Sequence, residues 1–304
     1  MMSQEFAYKL EQILGEEQIL REEPMRLHTT FRIGGPAQFF VIPRTQEEAA
    51  AAVRLCRSEG APYYIIGNGS NLLVSDKGYR GVVIQLFKEF SDINIEGTRI
   101  RAQAGASLAK IAAEALRAGL AGFEFAAGIP GTLGGACIMN AGAYGGEMKD
   151  VLLAVTVLTK DGEICEIPRE ELDMGYRTSR ASREGWIVLG ATIELARGDE
   201  KEIRAKMEDL KQRRTDKQPL EYPSAGSTFK RPEGYFAGKL IQDAGLKGLR
   251  VGDAMVSEKH SGFVVNCGNA TAADVDGLIR LVQEKVREDS GITLEPEVRR
   301  LGEF

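Results

Sequence analysis

Apolar residues recur along this chain with two periods. Phe6, Leu10, Ile13 and Leu14 fall on one side of a helix, predicting an opening helix from Ser3 to about Leu20. Phe39 to Ile42 reads as a short strand. Thr45-Gln-Glu-Glu48 has the form of a capping box, opening a helix that Gly60 terminates. The β-prone runs at residues 63–66 and 82–86 complete a small β-α-β-β unit. Further short strands are expected at residues 93–95, 99–104, 151–158, 163–167 and 187–195. Lys160-Asp161-Gly162 makes a hairpin turn, because Asp-Gly supplies the positive φ that tight hairpins need. A helix interrupts these strands, with Ser107 as N-cap and Gly119 as stop. Residues 200–217 read as a helix with Ile203, Met207 and Leu210 inward. After a strand at 263–266, Thr271-Ala-Ala-Asp274 caps a long helix with Val275, Leu278, Ile279, Val282 and Val286 at core spacing. The pattern predicts an α+β fold in three units, 1–86, 87–212 and 213–297.

Charge and composition narrow the function. The 304 residues carry 39 basic and 44 acidic side chains, a net charge of -5. No basic footprint for nucleic acid is present, so any nucleotide partner is a small molecule. Met1 to Tyr8 is polar and lacks the apolar run of a signal peptide, and the longest apolar stretch, around Val151, is far too short to span a bilayer. A cytoplasmic protein without membrane contact is expected. The scattered Cys56, Cys137, Cys165 and Cys267 show no CxxC spacing and read as reduced thiols. With His28 and His260 as the two histidines, no metal site and no Ser-His-Asp triad is expected. Redox chemistry would fall to an organic cofactor.

Glycine, at 35 residues, clusters in short stretches. Gly67-Asn68-Gly69-Ser70-Asn71 directly follows an apolar strand, and successive amides there can form a nest for anionic oxygens. It is neither a Walker A loop nor GxGxxG. Gly128-Ile129-Pro130-Gly131-Thr132-Leu133-Gly134-Gly135 runs into a stretch of small residues that would admit a large flat ligand and its phosphates. Two such loops about sixty residues apart suggest a dinucleotide held across a domain boundary.

In order along the chain, His28-Thr-Thr-Phe-Arg-Ile-Gly-Gly35, GNGSNLLVSD (67–76), GIPGTLGGACIMNAGAYGGE (128–147), GYRTSR (175–180), YPSAGSTFKRP (222–232), AGKLIQDAGLKG (237–248), VSEKHSGFVVN (256–266) and LEPEVR (294–299) resemble the UDP-N-acetylenolpyruvoylglucosamine reductase family, which acts in peptidoglycan precursor synthesis. The resemblance covers nearly the whole chain from about residue 25. It implies an FAD-binding fold of the vanillyl-alcohol-oxidase type over the first two units, with residues 298–304 packing back on the first, a third α+β substrate-binding domain, noncovalent FAD, NADPH as electron donor and a sugar-nucleotide substrate. The protein would be a monomer. Carried over residue by residue, cofactor binding falls to Gly67, Asn68, Gly69, Ser70, Asn71, Gly128, Ile129, Pro130, Gly131, Thr132, Gly134, Gly135, Asn140, Gly142 and Ala143. Ser227 becomes the proton donor, with Arg177 and Glu297 stabilising the intermediate. Tyr176, Lys217, Lys230, Arg231, His260 and Arg299 become substrate contacts.

The sequence departs from the family pattern twice. Only Ala181 to Gly185 separate Arg180 from Trp186, so the inserted loop with a substrate-clamping tyrosine is absent, as in the loop-lacking type. Arg231 stands where the family commonly has Asn. Two other readings remain: another FAD-dependent oxidase or dehydrogenase of the same fold, distinguished by reaction of the reduced protein with oxygen and a simple alcohol, and a non-enzymatic nucleotide-binding protein, distinguished by a colourless preparation.

Overall fold

Hydroxyl side chains start most of the helices. In the computed structural model, which describes residues 3–304, Ser3 accepts the Phe6 N–H (3.1 Å) and opens α1 (Gln4–Leu14). The helix is shorter than the periodicity predicts. Gly15 at φ +82 breaks it, and the chain passes through a 3-10 turn into the strand Ile19–Pro24. Thr45 accepts the Glu48 N–H (3.1 Å) at the start of α2 (Gln46–Ser58). The reciprocal half of the expected capping box is displaced by one residue, since Glu48 accepts from the Arg44 N–H at 2.7 Å. Ser107 caps α3 (Leu108–Arg117) as predicted.

The chain divides into two contact-dense units. The first comprises residues 3–20, Phe40–Asn68 and Gly81–Arg214; the second comprises Arg21–Phe39, Gly69–Arg80 and Thr215–Phe304. The chain passes between them within the strands Ile19–Pro24, Pro36–Val41 and Tyr79–Gln85, in the GNGSN loop, and near the end of α6 (Glu200–Lys217).

The first unit is built on a five-stranded antiparallel sheet, in the order Ile164–Pro168, Leu152–Leu158, Ile187–Glu194, Arg99–Gln103, Ile93–Glu96. Period-2 burial explains the outer pairing: Ile100 and Ala102 face the core while Arg99 and Arg101 face solvent. The short α4 (Leu133–Ile138) lies against the central strand. α5 (Arg180–Glu184) follows the Tyr176-Arg177 turn.

In the second unit, four antiparallel strands run in the order Ser224–Ser227, Phe263–Asn266, Ala254–Val256, Arg250–Val251. α7 (Ala237–Asp243) and α8 (Ala272–Ser290) pack with this sheet. Val275, Leu278, Ile279, Val282 and Val286 are buried with Val256 and Val264, as the spacing predicts. One pairing has no local signal: Leu72–Val74 and Arg299–Leu301 form a parallel two-stranded ladder. Among the described residues no helix is long and apolar enough to cross a membrane.

α8 is capped twice. Thr271 and Asp274 form the predicted capping box. Asp76, from the far end of the GNGSNLLVSD stretch, accepts the Ala272 and Ala273 N–H groups at 2.8 and 3.0 Å. Thr271→Ala should cost about 1 kcal/mol. Asp76→Ala leaves two helix N–H groups without their charged acceptor and should cost about 1.5–3 kcal/mol. Thermal unfolding of the two variants checks the ranking, and an Asp76→Ala loss no larger than that of Thr271→Ala would remove the second cap from the account.

Candidate active site

The two glycine-rich loops meet within the first unit. Asn68 Nδ2 donates to the Pro130 carbonyl (3.0 Å), and a Cβ on Gly67 would stand 2.3 Å from Thr132 Oγ1, so no side chain fits there. On the second-unit side, Gly69 has φ +61 and packs so closely on His28 that a Cβ would lie 2.1 Å from the His28 carbonyl oxygen. Ser70 is half-buried. Asn71 turns away from this loop: its Nδ2 donates to the Glu297 carbonyl (3.2 Å), and its own carbonyl accepts the Arg299 N–H (3.0 Å).

The 128–135 loop is tied down by its backbone. Leu108 N–H donates to Gly131 O (3.1 Å), Leu133 N–H to Ala106 O (2.9 Å) and Gly134 N–H to Ala104 O (2.8 Å). A Cβ on Gly134 would lie 2.8 Å from the Ala104 Cβ. Gly128 is exposed, with the Arg214 Cδ 3.2 Å from its Cβ position. Gly135 differs. It is exposed, and the nearest atom to its Cβ position is Thr132 Oγ1 at 3.7 Å. Ile129 is half-buried and Pro130 exposed beside it. Gly142 and Ala143 pair with Gly146 and Glu147 in a tiny hairpin.

Asn140 is 1% exposed, and its side chain is committed to protein. Its Nδ2 donates to Glu147 (2.6 Å) and to Gly175 O (3.2 Å), and its Oδ1 accepts the Lys149 N–H (3.0 Å). It thereby anchors one end of the Tyr176-Arg177 turn. Ser179 anchors the other by donating to Ile138 O (2.7 Å). Between these anchors Gly175 and Thr178 exchange backbone hydrogen bonds, and Arg177 is forced to φ +55. A non-glycine residue in that region stores on the order of 1 kcal/mol of strain and marks a site where side-chain direction matters. The guanidinium lies 5.3 Å from the Tyr176 ring centroid.

In the second unit the backbone pairs the segment that follows Ser227 and contains Lys230 with the segment that contains Glu297. Ser227 is exposed at the end of its strand, opposite Phe263, after a register shift at Gly226 (φ +76). The next residue, Thr228, is buried. Its carbonyl accepts the Glu297 N–H (2.8 Å), and the Lys230 N–H donates to Glu295 O (2.8 Å). Lys230 Nζ also pairs with the Glu295 carboxylate. Arg231 lies over the Phe236 ring, 3.9 Å from its centroid, with Nε donating to Tyr235 O (3.2 Å). Lys217 is exposed at the C-terminus of α6, and Arg299 is exposed beside Asn71. Burial holds the His260 pKa below its ordinary value, and Nδ1 accepts the Gly262 N–H (3.1 Å), so the ring is neutral and braces its own turn.

Two residues escape sequence reasoning. Arg214 reads as one base of a polar helix. Yet it lies over Gly128, burial lowers its pKa, and it has no ion pair among the described residues. Glu124 is 4% exposed. Burial pushes its pKa up, but hydrogen bonds from the Gly122 N–H, its own N–H and Lys206 outweigh that and hold it below the usual range. A lone acid inside Phe123-Glu-Phe-Ala-Ala is the signal that could have found it.

A family model described as an FAD binding domain matches residues 37–168, and one described as the C-terminal domain of UDP-N-acetylenolpyruvoylglucosamine reductase matches residues 218–301. The UDP-N-acetylenolpyruvoylglucosamine reductase of Alkaliphilus oremlandii is 53% identical over 298 residues, 98% of each chain. This chain belongs to the UDP-N-acetylenolpyruvoylglucosamine reductase family. The Caldanaerobacter subterraneus reductase is 54% identical over 295 residues, 97% of each chain. The crystal structure of the Thermus caldophilus reductase superposes with a TM-score of 0.80 at 41% identity, covering 93% of this chain and 98% of that one. Phl p 4.0202, a glucose dehydrogenase, matches at a TM-score of 0.50 and 13% identity over 65% of this chain and 45% of its own, a likeness of fold alone. As a member of the reductase family the protein is an FAD-dependent oxidoreductase.

The residues present fit FAD. Gly135 sits inside a helix, where glycine is unfavourable by roughly 0.5–1 kcal/mol relative to alanine, and no protein atom needs the space that its missing side chain leaves. Space kept open at such a cost suits close approach by a ligand. Gly135→Ala should therefore leave the FAD-free protein as stable or slightly more stable while weakening FAD binding. Urea unfolding of the FAD-free form and FAD titration by fluorescence check this, and unchanged FAD affinity would show that the opening serves no ligand.

Proposed function

We propose that this chain reduces UDP-N-acetylglucosamine enolpyruvate to UDP-N-acetylmuramate in the cytoplasm, as a monomer, with NADPH as donor and noncovalent FAD as carrier. The observation that carries the reading beyond family membership is the backbone link between Thr228, which follows Ser227, and Glu297 (2.8 Å). When bound, FAD supplies the hydride chemistry, accepting from NADPH and delivering to the terminal carbon of the enolpyruvyl group. The protein must do the rest. Negative charge develops at the adjacent carbon and spreads into its carboxylate, where fixed donors lower the barrier. Arg177 serves there, its direction imposed by the strained turn, and Glu297 stabilises the same intermediate. Ser227 gives its proton to the adjacent carbon, so that hydride and proton together saturate the double bond. A hydroxyl is a weak acid and suffices only against a strongly basic carbon in a site from which water is kept out. Lys217 and Lys230 face the diphosphate. Arg231, placed over the Phe236 ring, serves where the family commonly has Asn.

Ser227→Ala separates the two demands. FAD binding and flavin reduction by NADPH should stay near normal, because neither puts a proton on carbon. Reoxidation by the enolpyruvyl substrate should fall by about 10²–10⁴-fold. Stopped-flow measurement of each half-reaction checks this, and equal slowing of both would deny Ser227 the proton-donor role. Lys217→Ala should raise the Michaelis constant for the sugar nucleotide about tenfold or more, as expected for loss of a charge-assisted contact, with flavin reduction unaffected in the same stopped-flow traces.

A further inference from the structure

The GNGSN loop reads as a cofactor loop throughout, but the side chain of its last residue is engaged elsewhere. Asn71 Nδ2 donates to the Glu297 carbonyl (3.2 Å), while the Asn71 carbonyl accepts the Arg299 N–H (3.0 Å). The second bond leads directly into the parallel pairing of Leu72–Val74 with Arg299–Leu301. The first carries that ladder one step further, with a side-chain amide in place of a backbone donor. Glu297 is held from its other side as well. Its N–H donates to Thr228 O (2.8 Å), and Phe229 faces Pro296 in an antiparallel bridge. Pro296 has no N–H to offer. The segment is tied at Glu295, whose carbonyl accepts the Lys230 N–H (2.8 Å), and at Arg299, and between these ties the two backbone polar groups of Glu297 set its own position. One is fixed by the strand that carries Ser227, and the other by Asn71.

We infer that Asn71 is a positioning residue for Glu297, holding it in register for reduction of the enolpyruvyl group, and that its amide is not an FAD ligand. The inference rests on the proposed role of Glu297 as a stabiliser of the intermediate. Asparagine suits the task because its amide donates at a length that spans the gap. Aspartate has the same shape but, when ionised, offers the carbonyl no hydrogen. Alanine removes the contact outright. A misplacement of about 1 Å in a reacting group costs on the order of 10²-fold in rate, so the effect should be concentrated in the half-reaction that uses Glu297.

The test uses the FAD-loaded full chain. In Asn71→Ala, FAD affinity by fluorescence titration and the rate of flavin reduction by NADPH should stay near wild type, while reoxidation by the enolpyruvyl substrate slows about 10–100-fold. Asn71→Asp, which keeps the shape and so the packing, should show the same split even if the alanine variant folds poorly. In a Glu297→Gln background, Asn71→Ala should add little further loss, because two residues acting through one group are not additive. A fall in FAD affinity or flavin reduction as large as the fall in reoxidation would make Asn71 a cofactor ligand and overturn the proposal. So would full additivity with Glu297→Gln, or normal reoxidation in both Asn71 variants beside an impaired Glu297→Gln. If Glu297→Gln itself reoxidises normally, the reading of Glu297 fails first and the proposal with it.

Discussion

The parallel pairing of Leu72–Val74 with Arg299–Leu301 is the constraint on which the second unit depends. Two three-residue strands give few hydrogen bonds, so burial must hold them. Leu73 and Val74 are fully buried, Leu301 is 5% exposed, and Leu73 belongs to the same core as Val275 and Ile279 of α8. Ser75 extends the contact, its N–H donating to Leu301 O (2.8 Å) and its hydroxyl to Glu303 O (2.5 Å). Several candidate site residues lie next to the pairing. Upstream of it lie Asn71 and the glycine loop; downstream Asp76 turns to cap α8; just before the partner strand, the Glu297 N–H donates to Thr228 O.

Glycine does two opposite things around the candidate cofactor loops. At Gly67, Gly69 and Gly134 it lets protein approach protein, at distances where any Cβ would collide with Thr132, His28 or Ala104. At Gly135 it leaves space that the protein does not use. Gly128 falls between the two: it is exposed, and the flexible Arg214 side chain comes within 3.2 Å of its Cβ position. Loops rich in glycine are thus not uniform ligand surfaces. Gly67 brings the first loop onto Thr132 of the second, and Gly134 brings the second loop onto Ala104.

Local signals were the legible ones. Ser107 and Thr271 start helices because the cap and its N–H target are three residues apart, a distance that the sequence itself displays. The Asp161-Gly162 hairpin joins its strands as predicted, with Gly162 at φ +86. The end of α1 was missed although the sequence carries its signal: Gly15 is a helix stop like Gly60 and Gly119, and Glu17 and Gln18 break the apolar spacing. The Leu72–Val74 strand was not legible, since its partner is remote and its length is too short for periodicity to register. The candidate site divides in the same way. Ordered motifs bring Arg177, Ser227 and Glu297 into consideration through resemblance. The commitment of Asn140 to the Arg177 turn, of Asn71 to Glu297 and of Arg214 to Gly128 depends on distant partners, and residue type alone does not reveal it.

The ladder between Asn71 and Glu297 also sets a timetable. A chain made from its N-terminus exposes residues 71–74 long before their partners exist. The two ends are 226 residues apart, which at about 5–20 residues per second of synthesis is a wait of roughly 10–45 s. For that interval Leu72, Leu73 and Val74 are an unpaired apolar edge, and Asp76 has no helix to cap. Closing so long a loop also makes this a late contact in refolding from denaturant. Until the last residues are made, this edge of the second unit depends on whatever shields an apolar segment of a nascent chain.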